Sequence, residues 1–467
     1  MDREKKIVKN TVAYTIGNFG SKILAYIMVL VYTHYITSAE LGYYDVVITT
    51  ISLFQPIILM MFDDGVYRWL VDDSQKNKKE ILSTCLKTVF CTTSVTVVIF
   101  LLLHLEFHFS YVFGILFYLI SGLFYQIILN AVRGLSNSRL YAVSGILNSA
   151  LLLIFEVVGI VVLKRGVDAL FISKALANMV TVSYIYAHQT DLKGIITVPY
   201  NKNLAKDIAR YSLPLIPNNI SWWIVNSSDR YIILSFLGTA ANGVYSIANK
   251  FPTIVTTATG ILYFAIQESM LKEYHALDRD QFYSNIFEKY YSILFALVIC
   301  GIPATRIVIE LLVGNGYKTA WMFSGFLYLS TVYSALSALL GIGYQISRET
   351  KRSVYSTVSA AFVNIAINIF FIKTVGLHAA SFSTLAAYVF LLIVRLQHSK
   401  KYFNLSIKWK NFLAINLIAI TILILNSIAT SLATCFGLTL IAVAVAVCIN
   451  KDIALKIWNS YLRRVKQ

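Results

Sequence analysis

Long apolar runs recur along the whole chain, and they constrain its fold more than any other feature. They lie near residues 10–36, 43–65, 81–103, 111–132, 141–163, 168–188, 211–236, 243–269, 289–313, 319–343, 353–372, 377–396, 411–428 and 431–449. A membrane-spanning helix needs about 20 consecutive apolar residues, and most of these runs reach that length. Spanning β-strands are half as long and alternate in polarity, so a barrel does not fit. Composition agrees: 57% of residues are hydrophobic and only 13% are charged. A soluble domain carries roughly a quarter charged residues. Lipid is therefore the solvent for most of this apolar surface, and helices satisfy the backbone inside it. The expected fold is an all-α integral membrane protein of about fourteen helices.

The formal net charge of +17 raises nucleic-acid binding as a rival reading, but the placement of the charges argues against it. With the N-terminus inside, thirty of the forty Lys and Arg residues fall in cytoplasmic segments. Only Lys164, Arg165, Lys318 and Lys373 fall outside; Lys22, Lys87, Lys174, Arg230, Lys250 and Arg306 fall within helices. That asymmetry sets orientation, with both termini cytoplasmic in a multi-pass bacterial inner-membrane protein. It also places basic residues against anionic inner-leaflet lipid, and no nucleic-acid partner is expected. The long run after Asn10 reads as a first membrane helix and not as a cleaved signal peptide.

The chain repeats. AELGYYDVV at 39–47 and AANGVYSIA at 240–248 share Gly-x-Tyr at an offset of 201 residues. RGVDALFIS at 165–173 and VGLHAASFS at 375–383 share Gly-x-x-Ala at an offset of 210, and GLSNSR and GYQISR, ending at Arg139 and Arg348, sit at an offset of 209. Two related six-helix bundles of the same orientation follow. The expected domains are an N-lobe at 1–188, a cytoplasmic linker at 189–210, a C-lobe at 211–398, and two further helices with a basic tail at 399–467. Parallel repeats of this kind place a substrate cavity between the halves.

Enzymatic signatures are missing. No GxxxxGK[ST], GxSxG or HExxH occurs. The five cysteines lie inside apolar segments without CxxC spacing, so neither disulfide nor metal site is inferred. External loops no longer than about ten residues leave no room for the catalytic domain of a polymerase or ligase. The chain reads as a transporter without a bound cofactor.

Charges at membrane depth cost a few kcal/mol each and mark functional positions. Lys22 and Lys250 have no acidic residue within one helical turn. Each faces a water-filled cavity or bonds to another helix. Asp229 and Arg230 are adjacent and point to different sides, which favours ion pairs with other helices. Arg306 and Glu310, four residues apart, form a local pair. Asp63, Asp64 and Arg68 read as a solvated helix end, and Lys87 and Lys174 as snorkelling residues. Asp229, Glu156 and Glu268 are the acids available to couple a proton or sodium ion. Prolines 214, 217 and 252 fall on the two helices that carry Asp229, Arg230 and Lys250, where bends suit alternating access.

The segment RYSLPLIPNNISWWIVNSSDRYIILSFLGTAANGVYSIANK at 210–250 resembles the signature of bacterial O-antigen and capsule repeat-unit flippases. FVNIAINIFFIKTVGLHAASFSTLAAY at 362–388 and ELGYYDVV near the first helices fit the same pattern. These Wzx-type proteins form a polysaccharide-transporter branch of the MOP superfamily, related to MATE exporters. The resemblance implies a V-shaped, two-lobed bundle that flips undecaprenyl-pyrophosphate-linked oligosaccharides outward, working with other polysaccharide-assembly proteins. Against such a substrate, Lys22, Lys250 and Arg230 would hold the phosphates. Asn18, Asn218, Asn219, Trp222, Trp223 and Asn226 would line the sugar path. A lipid II flippase and a MATE-type cation exporter are the alternatives; the latter favours an acidic cavity, whereas the mid-helix charges here lean basic.

Overall fold

The apolar runs fold as helices, and no strand occurs among the described residues. The computed structural model describes residues 24, 26–71, 77–347 and 349–451. Twelve continuous helical stretches within them are long and apolar enough to cross a membrane. Most of the run at 10–36 lies outside the described residues. The runs at 211–236 and 243–269 are broken into shorter helices, so the expected fourteen spans do not map one to one onto twelve stretches. The chain divides into two compact units, Met1–Trp223 and Ile224–Gln467.

In the first unit the helices are α1 (Ser38–Ile58), α2 (Phe62–Val71), α3 (Lys78–Phe107), α4 (Val112–Gly134), α5 (Ser138–Glu156), α6 (Val167–His188) and α7 (Lys202–Ser212). α8 (Ile216–Ser227) follows and runs across the division. Capping residues set several starts. Thr37 and Glu40 form a reciprocal capping box on α1, and Asn77, Asn137 and Asn201 each accept a backbone N–H at the start of α3, α5 and α7.

The expected helix at 43–65 does not run straight. Pro56 precedes two consecutive residues in left-handed geometry, Met60 (φ 50°) and Met61 (φ 53°), and the chain restarts as α2. Non-glycine residues adopt that conformation at a cost of order 1 kcal/mol or more, so surrounding packing holds it. Leu59, Phe62 and Val66 supply that packing, each 1% exposed within an apolar core shared with Ile81, Leu82 and Ile208.

The segment at 189–210, expected to be a linker, packs back on the first unit. Asn201 donates to Glu80 Oε1 at 2.7 Å, and Ser83 and Lys87 donate to the Val198 carbonyl at 2.8 and 2.6 Å. Lys87 therefore caps this turn. α7 follows with Ala205, Ile208 and Ser212 buried, and Lys202, Lys206 and Arg210 exposed. A Cβ on Gly65 would lie 2.6 Å from Ile208, so α2 and α7 touch backbone to side chain. Amphipathic spacing, invisible to a search for apolar runs, makes this segment structural.

The second unit contains α9 (Asp229–Lys250), α10 (Pro252–Lys272), α11 (Arg279–Leu312), α12 (Trp321–Leu340), α13 (Ile342–Ile346), α14 (Thr350–Val375), α15 (Leu377–Ser399), α16 (Trp409–Ile428) and α17 (Leu432–Ile449). Gly238 (φ 84°, ψ 179°) interrupts α9 at the gap expected between 236 and 243. α12 and α14 both pack along α15, while α16 and α17 pack along α11.

Two buried arginines pin this unit. Arg306 pairs with Glu310 at 2.7 Å as expected, lies 3.9 Å over the Trp321 ring, and donates to the Asn426 carbonyl of α16. Arg395, 2% exposed, donates to the Ser337 carbonyl at 2.8 Å, to Thr357 at 3.0 Å and to Ser356 at 3.3 Å. The charge tally placed Arg395 in a cytoplasmic loop; it belongs to the core.

The repeat has a backbone counterpart. Gly166 (φ 58°, ψ −139°) opens α6 and Gly376 (φ 58°, ψ −137°) opens α15, at the offset of 210 residues noted above. A Cβ disfavours this conformation, so both repeats need glycine there.

Candidate functional site

Polar side chains cluster inside the first unit at positions that helical spacing brings to one side. On α6, Lys174, Asn178 and Thr181 follow i, i+4, i+7 and share a face. Lys174 Nζ donates to Asn148 Oδ1 at 2.9 Å and lies 6.0 Å from the Tyr125 ring centroid. Asn148 in turn donates to Asn178 Oδ1 at 3.1 Å and Thr181 Oγ1 at 3.3 Å, and Asn178 donates to Ser121 at 3.4 Å. Lysine, asparagine and serine from α4, α5 and α6 thus form one chain of hydrogen bonds.

Lys174 and Asn178 line a cavity of ≈ 210 Å³ with Gln55, Tyr125 and Gln126. A second cavity of ≈ 340 Å³ also includes Gln55 and Gln126, and continues to Ser52, Asp63, Asn219 and Trp223. The two shared glutamines make the cavities neighbours along one polar tract. At its far wall, Trp223 Nε1 donates to Ser52 Oγ at 3.0 Å and to the Thr49 carbonyl at 3.1 Å. Those bonds hold the indole beside the cavity. Asp63, 7% exposed, accepts from Gln126 and Asn130, each at 3.3 Å.

The second unit has its own constellation. Arg230 donates to Asp229 at 2.9 Å and to the Asn226 carbonyl at 3.0 Å. Tyr245 donates to Asp229 Oδ2 at 2.5 Å, and Tyr388 donates to Asn226 Oδ1 at 2.7 Å. The adjacent Asp229 and Arg230 therefore pair with each other. This pairing arises because Asp229 begins α9 and the long arginine side chain folds back across the helix start. Tyr245, the Tyr of the repeated Gly-x-Tyr, is thus a donor to that carboxylate.

Other predicted residues scatter. Lys22 and Asn18 lie outside the described residues. Lys250 is half-buried at the last position of α9, where Thr253 donates to its carbonyl at 2.5 Å. Asn218 and Asn219 are exposed on α8 and Trp222 is half-buried; Asn219 joins the first unit's cavity. Glu156 is buried where α5 passes into a π-helical turn, Val157–Val162, and Glu268 is exposed on α10. Lys174 corrects an expectation: it turns inward to Asn148, because a polar stripe on its own helix offers it partners. Asp63 also departs from the solvated end expected of it, since the break at Met60–Met61 carries it under α4. Among the described residues, no three His, Cys, Asp or Glu side chains gather as a metal site.

Comparisons with known proteins agree with this architecture. A comparison with curated protein sequences finds no match. Among solved structures, the chain is similar to the lipid II flippase MurJ in an inward closed conformation, with TM-score 0.70 and 13% identity over 96% of this chain and 99% of that one. It is also similar to an inward-facing multidrug resistance MATE family transporter of the MOP superfamily, with TM-score 0.66 and 14% identity over 83% and 94% of the two chains. An outward-facing MATE transporter gives TM-score 0.59 at 14% identity, over 85% and 95%. At these identities the likeness is one of fold. The family model described as "Polysaccharide biosynthesis protein" matches residues 7–271. With more than half its length so matched and a MOP-type helical fold, this multi-pass membrane chain belongs to the polysaccharide biosynthesis protein family.

Proposed function

We propose that this protein is a flippase that carries undecaprenyl-pyrophosphate-linked oligosaccharide repeat units across the bacterial cytoplasmic membrane by alternating access. The observation that carries this reading is the polar tract inside the first unit. Amide and hydroxyl groups, a lysine, an indole and the carboxylates of Asp63 and Asp64 line it, within helices whose outer faces are apolar. Sugars are recognised by amide and hydroxyl hydrogen bonds and by stacking on aromatic faces, and phosphates by cations. Such groups are costly at membrane depth unless a polar cargo uses them. The lipid tail needs no protein site, because the bilayer solvates it. Family membership supports a cargo drawn from polysaccharide assembly.

Lys174 is the phosphate-facing cation of the first unit in this scheme, and Lys22, Lys250 and Arg230 remain candidates for the same role. Both termini face the cytoplasm, and the reaction makes and breaks no covalent bond. The test is reconstitution into liposomes with a fluorescent undecaprenyl-pyrophosphate oligosaccharide, whose arrival in the outer leaflet is read by a membrane-impermeant quencher. Protein-dependent transfer of this lipid supports the reading. Transfer of lipid II alone, or of a cationic dye alone, replaces it with the corresponding rival.

A further inference from the structure

Two acids, Asp63 and Asp64, line the larger cavity of the first unit, and Asp63 is the buried one. Its Oδ2 accepts both neighbouring amides, Gln126 and Asn130, while its buried Oδ1 has no hydrogen-bond partner. A buried carboxylate oxygen without a donor is costly as an anion, by about 1–3 kcal/mol or more. No ion pair to Asp63 occurs among the described residues, and the elements packed on α2 offer it no cation. On α3, Lys87 is bonded to the Val198 carbonyl. On α4, Arg133 lies 4.6 Å over the Tyr67 ring and is exposed. On α7, Lys202, Lys206, Asp207 and Arg210 are exposed. On α2 itself, Arg68 is exposed, and Asp64, also exposed, lines the same cavity as Asp63.

We propose that Asp63 is an exchangeable proton site, with the proton carried on Oδ1 and delivered to or taken from water in the ≈ 340 Å³ cavity. A proton suits the site better than a metal cation. The two amides present N–H donors to the carboxyl, so they already bond one of its oxygens, and only the other is open. A sodium ion would need both amides reversed to build an oxygen shell. The strained turn at Met60–Met61 sits directly before Asp63. Neutralising Asp63 therefore changes the charge beside the break between α1 and α2, which is how a bound proton would alter the cavity. What the proton drives rests on the transport reading above; its binding does not.

The test uses the purified full-length protein in lipid nanodiscs without any sugar substrate. Infrared difference spectra across a pH titration should show a protonated-carboxyl stretch that grows as pH falls, with tryptophan emission moving at the same midpoint because Trp223 lines the cavity. Asp63→Asn should remove both signals and Asp64→Asn should keep both at a lower midpoint, while Trp223→Phe should remove the emission change and keep the infrared band. If Asp63→Asn does not fold, Asp63→Glu must shift the midpoint; an unchanged midpoint overturns the proposal. A band that survives in folded Asp63→Asn overturns it, as does a response to sodium at fixed pH in place of the response to pH. Since no lipid-linked sugar is present, failure here leaves the flippase reading standing, and failure of flipping leaves this site standing.

Discussion

Replacing Lys174 with methionine keeps the length of the side chain and removes its charge. The loss should fall on function far more than on folding. Structurally, Asn148 Oδ1 loses a charge-assisted donor at 2.9 Å, a bond worth about 1.5–3 kcal/mol in a dry site. The site is not dry: Lys174 lines a cavity of ≈ 210 Å³, and a water, at about 30 Å³ each, can replace the ammonium. The net cost in stability should stay below about 1 kcal/mol. Functionally, a cation 4 Å from a phosphate gains roughly 4 kcal/mol at an effective dielectric near 20. Partial hydration of a half-buried lysine reduces that to about 2–3 kcal/mol, or roughly 30- to 150-fold. The assay is the initial flipping rate in liposomes at equal reconstituted protein, beside a thermal melt in detergent. Lys174→Arg should retain most of the rate. Wild-type flipping by Lys174→Met, with a normal melt, would refute the placement of substrate phosphate in this tract.

Further outcomes follow from other parts of the structure. Alanine at Gly376 or at Gly166 places a Cβ in a conformation that strongly favours glycine; each should cost about 1–3 kcal/mol, read as a lowered melting temperature. Arg395→Met removes the side-chain donor to the Ser337 carbonyl, Thr357 and Ser356 inside the second unit and should destabilise by about 1–3 kcal/mol, with Arg395→Lys recovering only part because it lacks the planar fork. Glu349 immediately precedes α14, and hydrogen bonds from Lys401 and Tyr402 hold its carboxyl below the usual range. Its folded pKa is depressed, so its stabilising contribution is present above the unfolded value near 4.3 and is lost as pH falls through the folded value. Melts of Glu349→Gln should therefore converge with wild type at acid pH and diverge near neutrality.

What could be read from the residues alone was what the bilayer enforces. Apolar length placed the helices, and the gap between the runs at 211–236 and 243–269 fell on Gly238. Fixed i, i+4 spacing foretold the Arg306–Glu310 pair. The repeat was visible because glycine cannot be exchanged where φ is positive, which kept Gly166 and Gly376 in register while their neighbours diverged. Side-chain direction was the hidden part. Lys174 lies close enough to a helix end to reach solvent, and only the stripe it forms with Asn178 and Thr181 shows that it turns inward. Asp63 was read as a solvated end because nothing in the Met60–Met61 pair announces left-handed geometry. Arg395 sits at the edge of its apolar run, where counting charges assigns it to a loop, although its partners Ser337, Ser356 and Thr357 come from helices 38 to 58 residues away. Long-range partners of that kind leave no local spacing to detect.

The matched glycines also bear on descent. After a duplication, two halves drift until their side chains share almost nothing, and alignment of one against the other fails. A torsion angle open only to the residue without a side chain drifts far more slowly, because each departure strains the turn it serves. The dihedral pair repeated 210 residues apart is the kind of mark such a history would leave in a chain whose motifs have worn away. A search keyed to backbone torsions at helix entries would recover doubled halves in other membrane proteins whose letters no longer agree.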